Sequence, residues 1–109
     1  MANQYFPAQF KTGLQIGLLL ALACLTACET APPVQEMSDA RQAIAVAKEA
    51  GAEDRAAFHL EAAEKYLASA EKKLGERAFG QARRDAKQAK MKALDALKAS
   101  EEFVESTDN

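Results

Sequence analysis

The chain has no tryptophan, one histidine, two cysteines and no proline after Pro33. Each shortage excludes something. A single histidine, His59, rules out a histidine-based metal cluster, and neither Ser69 nor Ser100 has a nearby histidine in a recognisable motif. Two cysteines allow at most one disulfide, so a disulfide scaffold is excluded. Aromatic residues are only 6% of the 109, and alanine supplies much of the apolar share, which points to helix rather than sheet. The absence of proline beyond Pro33 leaves nothing to interrupt helices there. A formal net charge of −2 gives no reason to expect nucleic acid as a partner. Phosphate-binding and dinucleotide-binding glycine patterns are missing, and no substrate cleft is implied. We therefore expect a chain that is not an enzyme and carries no catalytic residues, metal or dissociable cofactor.

What is present begins with an address. Lys11 precedes an apolar run from Leu14 through Ala23, broken only by Gln15 and glycines. A basic start followed by about 7–15 apolar residues is the layout of a secretory signal peptide. The stretch Ile16 to Ala27 is short of the roughly 20 residues needed to span a bilayer. The run ends in Leu25-Thr26-Ala27-Cys28, which resembles the lipobox of bacterial lipoproteins. That resemblance implies cleavage between Ala27 and Cys28, with diacylglycerol on the cysteine sulfur and an acyl chain such as palmitate on its new amino group. Cys24 is a weaker rival, preceded by Ala21-Leu22-Ala23. Cys24 leaves with the signal, so no thiol remains for other chemistry. One acyl chain holds a protein only marginally, whereas two or more hold it firmly. Glu29 stands where the resemblance associates aspartate with inner-membrane retention, so the periplasmic face of the outer membrane is the expected destination.

The expected organisation is a cleaved signal peptide over 1–27, a lipidated tether over 28–36, a helical domain over 37–104 and a frayed tail over 105–109. Pro32 and Pro33 favour an extended tether. Helical spacing then begins, with Met37, Ala40, Ile44, Ala47 and Gly51 alternating by three and four. Ser38 or Asp39 is placed to cap this helix and Gly51 to stop it. Asp54 is placed to cap a second helix, whose apolar line is Leu60, Ala63, Leu67, Ala70 and Leu74, flanked by His59, Ala62 and Tyr66. Gly75 is placed as its C-terminal cap. A third helix carries Phe79, Ala82, Ala86, Ala89, Ala93, Ala96, Ser100 and Phe103, the two phenylalanines bracketing a seam of small residues. The spacing predicts an all-α fold. It is a small antiparallel three-helix bundle, or a helical hairpin with a loose first helix, with coiled-coil-like, alanine-rich packing. A core this small leaves room for self-association or a partner to add stability.

Charge is also organised. From Cys28 through Glu71 there are four basic and nine acidic residues, from Lys72 through Lys98 nine basic and three acidic, and the tail adds four acids. On a wheel, Arg77, Arg84, Lys87 and Lys98 lie away from the alanine line, with Met91 and Leu94 among them. The plainer reading pairs this basic helix with Glu61, Glu64 and Glu71 of the second helix. The functional reading makes it a docking face for an anionic envelope component such as peptidoglycan, lipopolysaccharide or an acidic protein.

The segment Ala40-Arg-Gln-Ala-Ile-Ala-Val-Ala-Lys-Glu-Ala-Gly-Ala52, then Leu60-Glu-Ala-Ala-Glu-Lys-Tyr-Leu-Ala-Ser-Ala-Glu-Lys-Lys-Leu74, then Ala78-Phe-Gly-Gln-Ala82 and the alanine-spaced helix, resembles the small bacterial lipoproteins of the domain of unknown function 4398 family. That resemblance implies a cell-envelope protein with no catalytic residues. A structural or scaffolding role follows as the expected function.

Overall fold

A computed structural model describes Gly13, residues 15–18 and residues 31–109. By contacts the chain divides at Ala31 into two units. In the first, Gly13 and residues 15–18 are helical. The lipobox residues Leu25, Thr26, Ala27 and Cys28 lie outside the described residues, as does Glu29.

The second unit, Pro32–Asn109, is an all-α bundle. Its elements are α1 (Val34–Glu49), the single-turn α2 (Ala52–Arg55), α3 (Ala57–Gly75) and α4 (Phe79–Asp108). The cross-helix ion pairs give the register. Arg41 pairs with Glu71 and Lys48 with Glu64, so a seven-residue advance along α1 is a seven-residue retreat along α3, and the two are antiparallel. Glu36 pairs with Arg83 and Asp39 with Lys90, so α1 and α4 run parallel. Helices α3 and α4 form the antiparallel hairpin between them.

Each apolar line predicted from spacing faces inward. Met37, Ala40, Ile44 and Ala47 of α1 are buried, as are Leu60, Ala63 and Ala70 of α3, with Leu67 and Leu74 partly so. On α4, Ala82, Ala86, Ala89, Ala93, Ala96 and Ser100 have no exposed surface. Alanine lacks bulk beyond Cβ, so this seam admits α1 and α3 toward the short end of the usual 8–10 Å interaxial range. The hydroxyl of Ser100 donates to the carbonyl of Ala96 at 2.8 Å and so brings no unsatisfied polar group into the seam.

The ends of the helices differ from the sequence-based expectations. Helix α1 starts three residues before Met37, its N-cap is the buried Pro33, and Ser38 and Asp39 lie inside it. Pro33, with φ −80° and ψ 57°, sits in an inverse γ-turn closed by the Val34 N–H donating to Pro32 O at 2.9 Å. This turns the chain directly into the helix, where an extended tether through residue 36 was expected. Gly51 does stop α1, in the left-handed conformation at φ 83°. Asp54 caps nothing. It lies within α2, and α3 begins behind Ala56 with no side-chain cap. Gly75 is the last residue of α3 rather than its cap. The left-handed position falls to Arg77, at φ 60°. The Ala78 N–H donates to Lys73 O and the Arg77 N–H to Leu74 O, which is the paired bonding of a Schellman stop with arginine where glycine is usual.

At the far end, Phe103 is half exposed and brackets no core. The seam keeps its period, but α1 and α3 have run out of length to cover it. The expected frayed tail is helical through Asp108, with the Ser106 and Thr107 hydroxyls donating to Phe103 O and the Thr107 hydroxyl also to Val104 O. Extending an existing helix is far easier than starting one, and the Asn109 side-chain amide donates to Glu105 O at 3.4 Å, one of the carbonyls of the last turn. Arg55 of α2 still lies over the Phe103 ring, 5.9 Å from its centroid, so the overhang is residues 104–108, about 7–8 Å of helix.

Candidate functional site

The basic segment is the strongest candidate, and its cations separate into three groups. Arg83 and Lys90 face α1 and are engaged by Glu36 at 2.9 Å and Asp39 at 3.5 Å. Lys73, on α3, reaches Asp85 of α4 at 2.6 Å, and Ser69 donates to the same carboxylate oxygen at 2.7 Å. Arg77, Arg84 and Lys87 are exposed and make no salt bridge among the described residues.

The four residues singled out by the wheel are thus not one face. Arg77 is in the turn before α4. Arg84 and Lys87 are on its first turns. Lys98 lies about 21 Å further along the axis than Arg84, where it pairs with Glu102 at 3.8 Å across two largely exposed side chains. The expected pairing of the basic helix with Glu61, Glu64 and Glu71 is also corrected. Glu64 and Glu71 serve the basic residues of α1, and it is the acids of α1 that meet α4. The parallel packing of α1 on α4 brings this about. Glu61 makes no salt bridge among the described residues.

Two carboxylates at this end are held below their ordinary pKa. For Asp85 the leading cause is the hydrogen bond from Lys73, aided by Ser69 and the charge of Arg84 and opposed by burial. For Glu36 it is the backbone N–H of its own residue, unpaired in the first turn of α1, with Arg83 assisting against burial. At the other end Lys48 is raised by its hydrogen bond to Glu64.

A shallow open groove of about 450 Å³ runs between α3 and α4, lined by Ala62, Lys65, Tyr66, Ser69, Lys73 and Asp85. The spacing analysis assigned Tyr66 and Ala62 to a flanking apolar line and did not anticipate Lys73 and Asp85, which only the hairpin brings together. The charges of Lys73 and Asp85 satisfy each other within the groove. His59 packs edge-on against Phe58, with ring centroids 5.7 Å apart, and its Nδ1 is buried without a hydrogen-bond partner among the described residues. No group of three or more histidine, cysteine, aspartate or glutamate side chains suited to a metal occurs among the described residues, and no helix among them is long and apolar enough to cross a membrane. Met91 and Leu94 are exposed on α4, as expected. Compared with known proteins, the chain matches no family model, no curated protein and no solved structure.

Proposed function

We propose that the chain is a lipid-anchored lipoprotein of the periplasmic face of the outer membrane, with a structural or scaffolding role in the cell envelope. The observation that carries this reading is the apolar run closing on Leu25-Thr26-Ala27-Cys28, followed within a few residues by Pro32-Pro33 and a helical body. On this reading the acyl groups on Cys28 are the only covalent additions the chain needs. The likeness to the domain of unknown function 4398 family belongs to the same proposal. The test is covalent. Globomycin, which blocks the lipoprotein peptidase, leads to accumulation of a larger precursor. The mass of the mature chain begins at Cys28 and includes acyl groups. A Cys28→Ser variant that remained membrane-attached like the normal chain would overturn the assignment.

A second reading, a binding module for an anionic envelope component, is favoured by one observation. Arg77, Arg84 and Lys87 remain exposed without salt bridges among the described residues, while Arg83 and Lys90 beside them are taken up by α1.

A further inference from the structure

The bundle has two ends of opposite charge. The hairpin end contains residues 72–87 and the start of α1, residues 32–36. Met37, Ala70 and Ala86 form one cluster there, which sets the start of α1 level with the last turns of α3 and the first turns of α4. This end holds six cations, Lys72, Lys73, Arg77, Arg83, Arg84 and Lys87, against three acids, Glu36, Glu76 and Asp85. Two of those acids are neutralised internally by Lys73 and Arg83. The opposite end, residues 48–61 and 95–109, holds three cations against nine acids.

The chain enters the bundle at the basic end, through Pro32 and Pro33. Val34, 70% exposed, is an apolar residue beside that entry. Only four residues, Glu29 to Pro32, separate Cys28 from Pro33, and the five steps between them reach about 18 Å at full extension.

We propose that this end is a membrane-docking tip. Arg77, Arg84, Lys87 and Lys72 meet the phosphate headgroups of an anionic lipid surface, and the acidic end stands away from it. The proposal rests on the reading of Cys28 as the lipid-bearing residue, because the anchor is what brings the tip to the surface. Lys and Arg side chains near anionic headgroups are attracted only within about a Debye length, so the tip must sit at the surface for its charge to act. The same field repels the nine acids of the opposite end whenever that end tips toward the surface, so attraction and repulsion orient the body in one sense. A lipid tether alone leaves a body free to tilt. The charged tip turns it into an upright post, with α4 carrying the acidic overhang outward.

The chain has no tryptophan, so a single introduced indole reports on its own surroundings. Gly80 lies in the first turn of α4 with open space where a Cβ would go. Phe58 is 79% exposed at the other end. Purified full-length mature protein carrying Gly80→Trp or Phe58→Trp is placed on vesicles of phosphatidylcholine, with or without phosphatidylglycerol, containing a headgroup spin label. Quenching of Gly80→Trp rises about twofold or more on the anionic vesicles at about 0.1 M salt. The rise vanishes at 1 M salt, where the Debye length is about 3 Å. Phe58→Trp is not quenched on either vesicle. Adding Arg77→Glu, Arg84→Glu and Lys87→Glu returns Gly80→Trp to its neutral-vesicle value, with circular dichroism confirming retained helix. Equal quenching of Gly80→Trp on both vesicles, or quenching of Phe58→Trp that matches it, overturns the docking tip, and the salt comparison on the unreversed chain decides this even if the triple variant fails to fold. The mass of the same preparation separates the two readings. A chain with no acyl group on Cys28 overturns the anchor alone, while the vesicle comparison still judges the tip.

Discussion

The two ends of the bundle are held by different physics. At the Gly51 end, Ile44, Ala47, Ala52, Ala56, Leu60, Ala63, Ala93 and Ala96 form one buried cluster drawn from all four helices. At the hairpin end the buried cluster is only Met37, Ala70 and Ala86, with Leu67 and Leu74 against it. That smaller cluster is flanked by part-buried ionic contacts, Lys73 and Ser69 with Asp85 and Arg83 with Glu36. Apolar contact is indifferent to pH and strengthened by many salts, whereas charge pairs weaken with salt and depend on protonation. The hairpin end should therefore respond to solution conditions to which the Gly51 end is largely insensitive.

The largest expected effect tests how far one side chain carries the smaller cluster. Met37 is the largest of the fully buried side chains among the described residues. Met37→Ala leaves a cavity that alanine neighbours cannot fill, and should lower stability by about 2–5 kcal/mol in urea denaturation. A loss within the range of a surface substitution would show that the hairpin end depends little on its apolar contacts.

Next in size is the converse change in the larger cluster. Ala93 has no exposed surface and lies where α4 meets both Ile44 and Leu60. Ala93→Leu should force the helices apart and destabilise by about 1–3 kcal/mol, a loss of similar size at low and moderate salt.

Asp85→Asn addresses the ionic contacts. Its side chain is 16% exposed and its pKa is lowered, so it stabilises the fold at pH values above the ordinary 3.8 and loses that contribution as acid protonates it. The variant should be about 1 kcal/mol less stable at neutral pH. Its thermal midpoint should converge with that of the normal chain as pH falls below 3.8. Curves that stay parallel well below that pH would remove the distinction between the two ends.

The smallest effect is a gain. Arg77 holds a left-handed φ that glycine adopts freely. Arg77→Gly should raise stability by up to about 1 kcal/mol, read as a small rise in the thermal midpoint. On the docking reading it also removes one cation from the tip.

The buried lines of the three long helices were legible because period is a local property, and Met37, Ala40, Ile44 and Ala47 fall inward as their spacing requires. Phe103 has the same period and is exposed, because burial also needs a neighbour, and the lengths of α1 and α3 decide where neighbours end. The ion pairs were misassigned for a related reason. Composition showed an acidic first half and a basic second half, but only the topology shows that α1 lies parallel to α4 and claims Arg83 and Lys90. Lys98 shares a wheel face with Arg84, but a wheel suppresses the distance along the axis. Arg77 was unreadable as the left-handed residue because Gly75, two places earlier, is the more obvious stop. The lipobox residues lie outside the described structure, so that part of the candidate site rests on sequence.

The alanine seam of α4 bears on how the protein meets temperature. Six consecutive seam positions, Ala82 through Ser100, are sealed from solvent while burying almost nothing beyond a methyl or hydroxymethyl group each. Unfolding therefore hydrates little hydrocarbon per residue. Apolar hydration is the positive contribution to the heat-capacity change of unfolding. The increment should fall below the usual figure of about 12–15 cal/mol/K per residue, and the stability curve should be correspondingly broad and shallow. Such a bundle does not gain much by being held near its optimum temperature, nor lose much by leaving it.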